Sequence, residues 1–315
     1  MNFLVFLLGF FALSVFGLSG DNWVVIVGTS RFWYNYRHVA NAVGVYRSAR
    51  RLGVPEDHIL LFLADDVACN PRNILPATLF MEDHRRGADL YGESLRVAFR
   101  NDDVTVDNFL RLLTGRNAES APLSQRLLSG PDSNVFVYLT GHGGEEFLKF
   151  QDVEELTSDD LADAVHEMYL KHRFRELFIA VDTCQAASLG WRLRTPHVLF
   201  VGSSNVSENS LSYQSDSDIG LAVVDRFTYH MIEYLNEMAR KMEANRGVCE
   251  RYSLDGLRRT LTREKLMSNA VWRTDLFGRP LESTPIMDFF GGCTPRTTDA
   301  FAEALLHSAA DVDWF

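Results

Sequence analysis

Short unbroken apolar runs alternate along the chain with stretches in which apolar residues return every three or four positions. Five runs read as strands buried on both faces: 23–28 (WVVIVG), 58–64 (HILLFLA), 134–140 (ending VFVYLT), 176–182 (ELFIAVD) and 197–203 (HVLFVGS). Continuous β-branched and aromatic runs bounded by turn residues suit parallel strands covered on both sides. Helical spacing covers 38–52, where Val39, Val43, Tyr46 and Leu52 share a face and Gly53 closes the helix. It recurs over 106–114 after Thr105, over about 159–172 with Ser158 as the cap, and over 219–244 as one long amphipathic helix. VWRTDLF and IMDFFGG read as edge strands, and 65–103 and 115–133 as long polar connections. Strands alternating with helices predict an α/β fold: three layers, with a mostly parallel sheet between helices.

Loops that leave parallel strands gather at one sheet edge, where ligands bind. The 134–140 strand runs into Gly141-His142-Gly143-Gly144, and the 176–182 strand into Asp182-Thr183-Cys184. An imidazole and a thiol thus reach one rim, as a cysteine nucleophile with a histidine base requires. Glycines beside His142 leave backbone N–H groups free to hold a developing oxyanion. Small residues and a helix start after Cys184 suit a thiolate. The order His then Cys is that of caspase-like hydrolases, so the pattern points to a cysteine-type hydrolase or acyl transferase. A third cluster, Thr29 to His38, follows the first strand. There Asn35 is a candidate to orient His142; alternatively the aromatics cover the sheet edge and Arg37 pairs with a carboxylate.

The formal net charge of −11, without a long basic run, excludes nucleic acid as a natural partner. Residues 1–20 (MNFLVFLLGFFALSVFGLSG) are apolar and end in small residues, as in a secretory signal peptide cleaved near 17–20. The stretch lacks Lys or Arg at its start, and an uncleaved anchor is the other reading. Secretion implies an oxidising compartment, yet there are four cysteines: Cys69, Cys184, Cys249 and Cys293. With Cys184 a free nucleophile an odd number remains, and Cys69, in a polar loop, is the best candidate for a bond to another chain; a free thiol fits the spacing equally.

The segments TSRFWYNYRHVAN, LADDVACNPRN, VTVDNFLRLLTGR, TGHGGEEFLKFQD and DTCQAAS resemble, in order, the GPI-anchor transamidase catalytic subunits, relatives of legumain in the caspase-like clan. The resemblance runs from about residue 22 to at least 230 and weakens over 245–315, apart from RTDLF and MDFFG. It implies a caspase-like catalytic domain over 21–245, with 246–315 an extension packed on it or completing it. It implies Cys184 as nucleophile, His142 as base and Asn35 as orienting group, with the Gly143 and Cys184 amides as oxyanion hole. Arg37, Asp182 and Ser210 would line the substrate pocket. Legumain's further pocket aspartate is read at Leu221, a departure that argues against recognition of an asparagine side chain. The implied substrate is a proprotein whose attachment signal has small residues, a spacer and a hydrophobic tail. The implied reaction forms a Cys thioester and passes it to the ethanolamine amine of a glycolipid in the endoplasmic reticulum, with no cofactor. Some members carry a C-terminal membrane helix; this chain ends in AFAEALLHSAADVDWF, so membrane-embedded partner subunits would hold it at the membrane. Cys69 would form the intersubunit disulfide of relatives. The family's calcium loop needs acidic residues near position 97, where Arg96 and Ala98 stand, so no metal is expected. Asn205-Val206-Ser207 is a glycosylation sequon, expected to stay unmodified beside the pocket. A legumain-like endopeptidase is the alternative.

Overall fold

The computed structural model describes residues 21–92, 95–244 and 252–291. The expected signal segment 1–20, the expected domain boundary at 245, Cys249 and Cys293 lie outside these residues. A seven-stranded sheet forms the middle layer. Its strands are β1 (Asn22–Gly28), β2 (Ile59–Leu63), β3 (Phe99–Arg100), β4 (Asn134–Thr140), β8 (Glu176–Asp182), β9 (Val198–Gly202) and β12 (Val271–Arg273). The spatial order is β12-β9-β8-β4-β1-β2-β3, all pairs parallel except the antiparallel edge β12–β9. From β1 the chain winds outward one way to β2 and β3, then returns to wind the other way through β4, β8 and β9. The reversal falls between β1 and β4, the place where loops part to leave a crevice.

Alternate residues of each central strand serve different cores. Val24, Ile26, Phe136 and Tyr138 face α1 (Tyr36–Arg51) and α4 (Arg226–Ala244). Val25, Val27, Val135, Val137 and Leu139 face α2 (Val106–Thr114) and α3 (Ser158–Leu170). All five predicted strands form within a residue of their expected limits, because runs apolar at every position need both cores. α2 is capped as its sequence suggests: Thr105 accepts the Asn108 N–H and Gly115 ends the helix at φ 68°. The α3 cap is Thr157 rather than Ser158, through a capping box with Asp160.

Two further expectations fail, and one small sheet was not expected. Residues 219–225 are not helical: β10 (Ser212–Asp216) and β11 (Leu221–Asp225) form a hairpin, and α4 begins only at Arg226. Gly220, at φ 76°, makes the turn, and Val223 and Val224 suit the strand. The IMDFFGG segment is no strand. Met287–Phe290 make one helical turn, α7, after α5 (Leu254–Thr260) and α6 (Arg263–Leu266), and place Phe289 and Phe290 against Phe178 and Phe136. Burying each ring contributes roughly 1.5–3 kcal/mol. Between β4 and α3 the chain also builds an unpredicted sheet, β5 (Gly143–Gly144), β6 (Phe147–Phe150) and β7 (Glu154–Thr157). Among the described residues no helix is long and apolar enough to cross a membrane.

Candidate active site

Thr140 at the end of β4 lies in register with Asp182 at the end of β8, so His142 and Cys184 each leave the sheet two residues beyond a paired position. The two loops touch: the Gly141 N–H donates to the Asp182 carbonyl (3.4 Å) and the Glu146 N–H to Ser188 Oγ (2.7 Å). The glycines are there for space. A Cβ on Gly141 would lie 2.0 Å from Thr29 Oγ1, and one on Gly143 2.6 Å from Thr183 Oγ1. After Cys184, Gln185 adopts a left-handed φ of 53°, and Ala186–Gly190 form a short 3-10 turn in place of the expected helix start.

Asn35, buried in the turn Trp33–Asn35 after β1, accepts through Oδ1 from His142 Nε2 (2.8 Å). Its Nδ2 donates to the Arg31 carbonyl (2.6 Å), which settles the amide orientation. His142 Nε2 therefore carries a hydrogen and Nδ1 is the basic atom. Burial, reinforced by Arg37, holds the imidazole below its ordinary range, so it rests neutral. Burial also pushes the Cys184 thiol up; the Ser210 backbone N–H opposes this, while the carboxylates of Asp225 and Asp182 add to it. The resting pair is thus thiol and neutral imidazole, contrary to the thiolate expected from a helix start.

Below the rim lies a buried polar cluster. Asp182 accepts from Ser210 Oγ (2.6 Å), Thr228 Oγ1 (2.5 Å) and the Thr228 N–H (3.2 Å), yet burial keeps its carboxyl above the usual range. Arg37 Nε donates to Asp225 Oδ1 (3.1 Å), and Asn41 Nδ2 to Asp225 Oδ2 (2.6 Å). Burial, then the neighbouring Asp182 charge, pushes Asp225 up to about 7. His38 bonds Ser30 Oγ through Nδ1 (2.8 Å), lies 3.6 Å from Asp225 and sets its ring edge-on to His142 at 4.9 Å. Arg37, Asp182 and Ser210 thus meet at one place, together with Asp225. Leu221 opens β11, and the carboxylate that joins this cluster is Asp225, four residues on at the end of the same strand. His38, Asn41, Asp225 and Thr228 were not singled out from the sequence. Asp225 and Thr228 were hidden inside the supposed helix, while His38 and Asn41 stood unassigned in TSRFWYNYRHVAN.

Cys69 is exposed, its sulfur 3.7 Å from the Tyr91 hydroxyl, and neither it nor Cys184 is bonded to another cysteine among the described residues. Asn205 is exposed beside the loop that carries Cys184, where the Ser207 N–H reaches the Gln185 side chain (3.0 Å). Asp83, His84 and Asp216 gather groups able to ligate a metal. However, Asp216 already accepts from the His84 ring (2.7 Å) and from the amides of His84, Asp218 and Ile219 (2.8, 2.8 and 3.0 Å). Those donors make the cluster a clasp between the 79–92 loop and the hairpin.

Residues 22–252 match the Peptidase C13 family. The chain belongs to that family. Two similar C13 relatives are the GPI-anchor transamidases of Saccharomyces cerevisiae, 47% identical over 280 residues, and Homo sapiens, 47% identical over 271. The matches cover 89% and 86% of this chain and 66% of each relative, so this C13 chain spans somewhat less than two thirds of their length. A solved structure described as caspase-1 from Spodoptera frugiperda is 12% identical, with a TM-score of 0.40 over 75% of this chain and 79% of its own.

Proposed function

We propose that this C13 chain is the catalytic component of a GPI-anchor transamidase, with Cys184 as nucleophile, His142 as base and Asn35 as the group that orients it. The observation that carries the chemistry is the Asn35–His142 hydrogen bond, which leaves Nδ1 to receive a proton at the rim Cys184 shares. The substrate assignment rests on relatives whose name is GPI-anchor transamidase.

The thiol proton passes to His142 Nδ1 as sulfur attacks the carbonyl of the attachment residue. The Gly143 and Cys184 amides hold the oxyanion. The tetrahedral intermediate collapses with loss of the leaving amine, which takes the proton from His142, and a thioester remains. The glycolipid's ethanolamine amine then attacks the thioester. It loses a proton to His142, the C–S bond breaks, and the proton returns to sulfur. The product is an amide and the free thiol. Water competes, so transfer depends on holding the amine in place. Arg37, Asp182 and Ser210 form the floor of the pocket together with Asp225. The setting is the lumen of the endoplasmic reticulum, with membrane-embedded partner subunits and Cys69 as the point of covalent attachment to one of them.

In cells whose only copy carries Cys184→Ala, anchoring of a reporter proprotein falls by at least about a thousandfold, because the covalent route is lost. The purified variant keeps the wild-type melting temperature within a degree or so, since one half-buried sulfur adds little packing. Anchoring that persists at wild-type level ends this reading. A legumain-like endopeptidase would instead cleave after asparagine in isolation and gain nothing from an added small amine.

A further inference from the structure

Two buried hydroxyls flank the His142 loop and take no part in the chemistry above. Among the described residues, Thr29 Oγ1 and Thr183 Oγ1 have no hydrogen-bond partner, although Thr29 is 0% exposed and Thr183 2%. A buried hydroxyl left without a partner costs stability, so its presence needs a reason. The two positions are related through the sheet. Gly28, Thr140 and Asp182 stand in register at the ends of β1, β4 and β8, and Thr29, Gly141 and Thr183 each follow by one residue. β4 lies between β8 and β1, so the threonines reach its outgoing loop from the strand on either side.

Each hydroxyl is set against a glycine of that loop. On Gly141 the space a Cβ would need is taken by Thr29 Oγ1. On Gly143 it is taken by Thr183 Oγ1 (2.6 Å from that point) and the Phe147 carbonyl (2.7 Å). The threonine backbones are fixed. The Thr29 N–H donates to the Thr140 carbonyl (3.0 Å), and the Thr29 carbonyl accepts the Gln151 N–H (2.8 Å). The Thr183 N–H donates to Ser203 Oγ (3.2 Å), and the Thr183 carbonyl accepts from Ser203 Oγ (3.1 Å) and Ser204 Oγ (2.8 Å). The loop is tied in turn by the Lys149 N–H, which donates to the His142 carbonyl (2.8 Å). An oxygen atom is smaller than a methyl group and takes a weak contact from a glycine Cα–H, so a hydroxyl lets the loop sit closer than valine would. Stability alone favours valine, which buries no orphaned oxygen; threonine is explained by where it holds the loop.

We infer that Thr29 and Thr183 are positioning residues: their unpartnered hydroxyls clamp the Gly141–Gly143 loop from β1 and β8, and Thr183 sets the place of the Gly143 amide that receives the oxyanion. This rests on the transamidase reading, with Gly143 as an oxyanion donor, and adds the residue that places that donor. Such an amide acts from about 2.7–3.1 Å. A small outward shift of Gly143 therefore weakens the hold on the transition state and leaves substrate binding and the thiol as they are.

The test uses native membranes from cells carrying one variant as the sole copy, with a reporter proprotein and added hydrazine as the amine. Thr183→Val, which puts a methyl group in place of the oxygen, lowers kcat about tenfold and leaves the KM for the reporter unchanged. The variant chain accumulates at wild-type level, because no hydrogen bond is lost. Thr183→Ala, which opens the clamp instead of crowding it, also slows turnover, and Thr183→Ser, which keeps the oxygen, restores most of the rate. A peptide aldehyde of the attachment sequence forms an adduct with Cys184 whose oxygen lies where the oxyanion would, so its inhibition weakens about tenfold in step with kcat. Inactivation by iodoacetamide, which forms no oxyanion, keeps the wild-type rate. Thr29→Val lowers kcat as well, through Gly141. Unchanged kcat in either valine variant, or no recovery with serine, overturns the proposal. So does aldehyde inhibition of wild-type strength while kcat falls, and so does iodoacetamide inactivation that slows together with kcat in Thr183→Val, since a general disturbance of the site would then be the cause. If Cys184→Ala membranes still transfer the reporter, the underlying transamidase reading has failed instead.

Discussion

The hairpin β10–β11 ends each of its strands on an aspartate, and the two occupy opposite electrostatic environments. Asp216 is 1% exposed and Asp225 4%, and each faces a histidine, His84 in one case and His38 in the other. Burial acts to raise both. At Asp216 it is outweighed by three backbone amides and an imidazole aimed at the carboxylate, which hold it far below the usual carboxylate range. At Asp225 the donors are Arg37 and Asn41, and the Asp182 charge adds to burial, so the group rises to about 7. Depth alone therefore does not decide whether a carboxylate is charged; the number of fixed donors and the sign of the nearest neighbour do. The first aspartate fastens a loop, whereas the second is a charge that can change near the Cys184 thiol.

Removing the clasp has the largest effect. Asp216→Ala leaves four donors without their acceptor and lowers stability by about 3 kcal/mol, read from denaturant unfolding. A loss below about 0.5 kcal/mol would mean the clasp is incidental. Because the folded-state pKa of Asp216 is depressed, its contribution is present above roughly pH 4 and is lost as pH falls through the folded value. The variant accordingly loses part of the wild-type decline in acid.

Asp225 acts in the opposite sense. Its folded-state pKa is raised, so its contribution is complete below the unfolded value of roughly 4 and is lost as pH rises through about 7. Asp225→Asn, close in shape to the protonated acid, flattens the fall of melting temperature across that window. An unchanged slope would remove Asp225 as its source. The smallest effect distinguishes the two aspartates at Cys184. Alkylation of Cys184 by iodoacetamide keeps rising with pH where an ordinary thiol, roughly pKa 8.5, has levelled off. Asp225→Asn moves that rise to lower pH, and Asp216→Asn leaves it in place. A shift from both, or from neither, would erase the distinction.

The parts legible in the sequence are those where local pattern and tertiary demand agree. Runs such as VVIVG and FIAVD admit one reading, since only a strand covered on both faces buries every residue. His142 and Cys184 inherit their common rim from those strands, and the glycines about His142 mark a crowded loop. The stretch 221–225 misled because Leu221, Val223 and Val224 fit a helical face as well as a strand, and the turn at Gly220 separates them only once Asp216 caps it. The helical turn at Met287–Phe290 was equally hidden, because four residues are too few to show a period.

What the sequence determined by itself is the alternation that builds the central sheet and, through strand direction, the edge at which thiol and imidazole emerge. What only the folded chain decided is the company they keep. Asp225 reaches Arg37 across 188 residues of sequence, and Asn35 reaches His142 across 107. Strand and helix periods are written locally by the side chains. A buried charge takes its state from every donor and neighbour the fold brings to it, and those are set by contacts far apart in sequence.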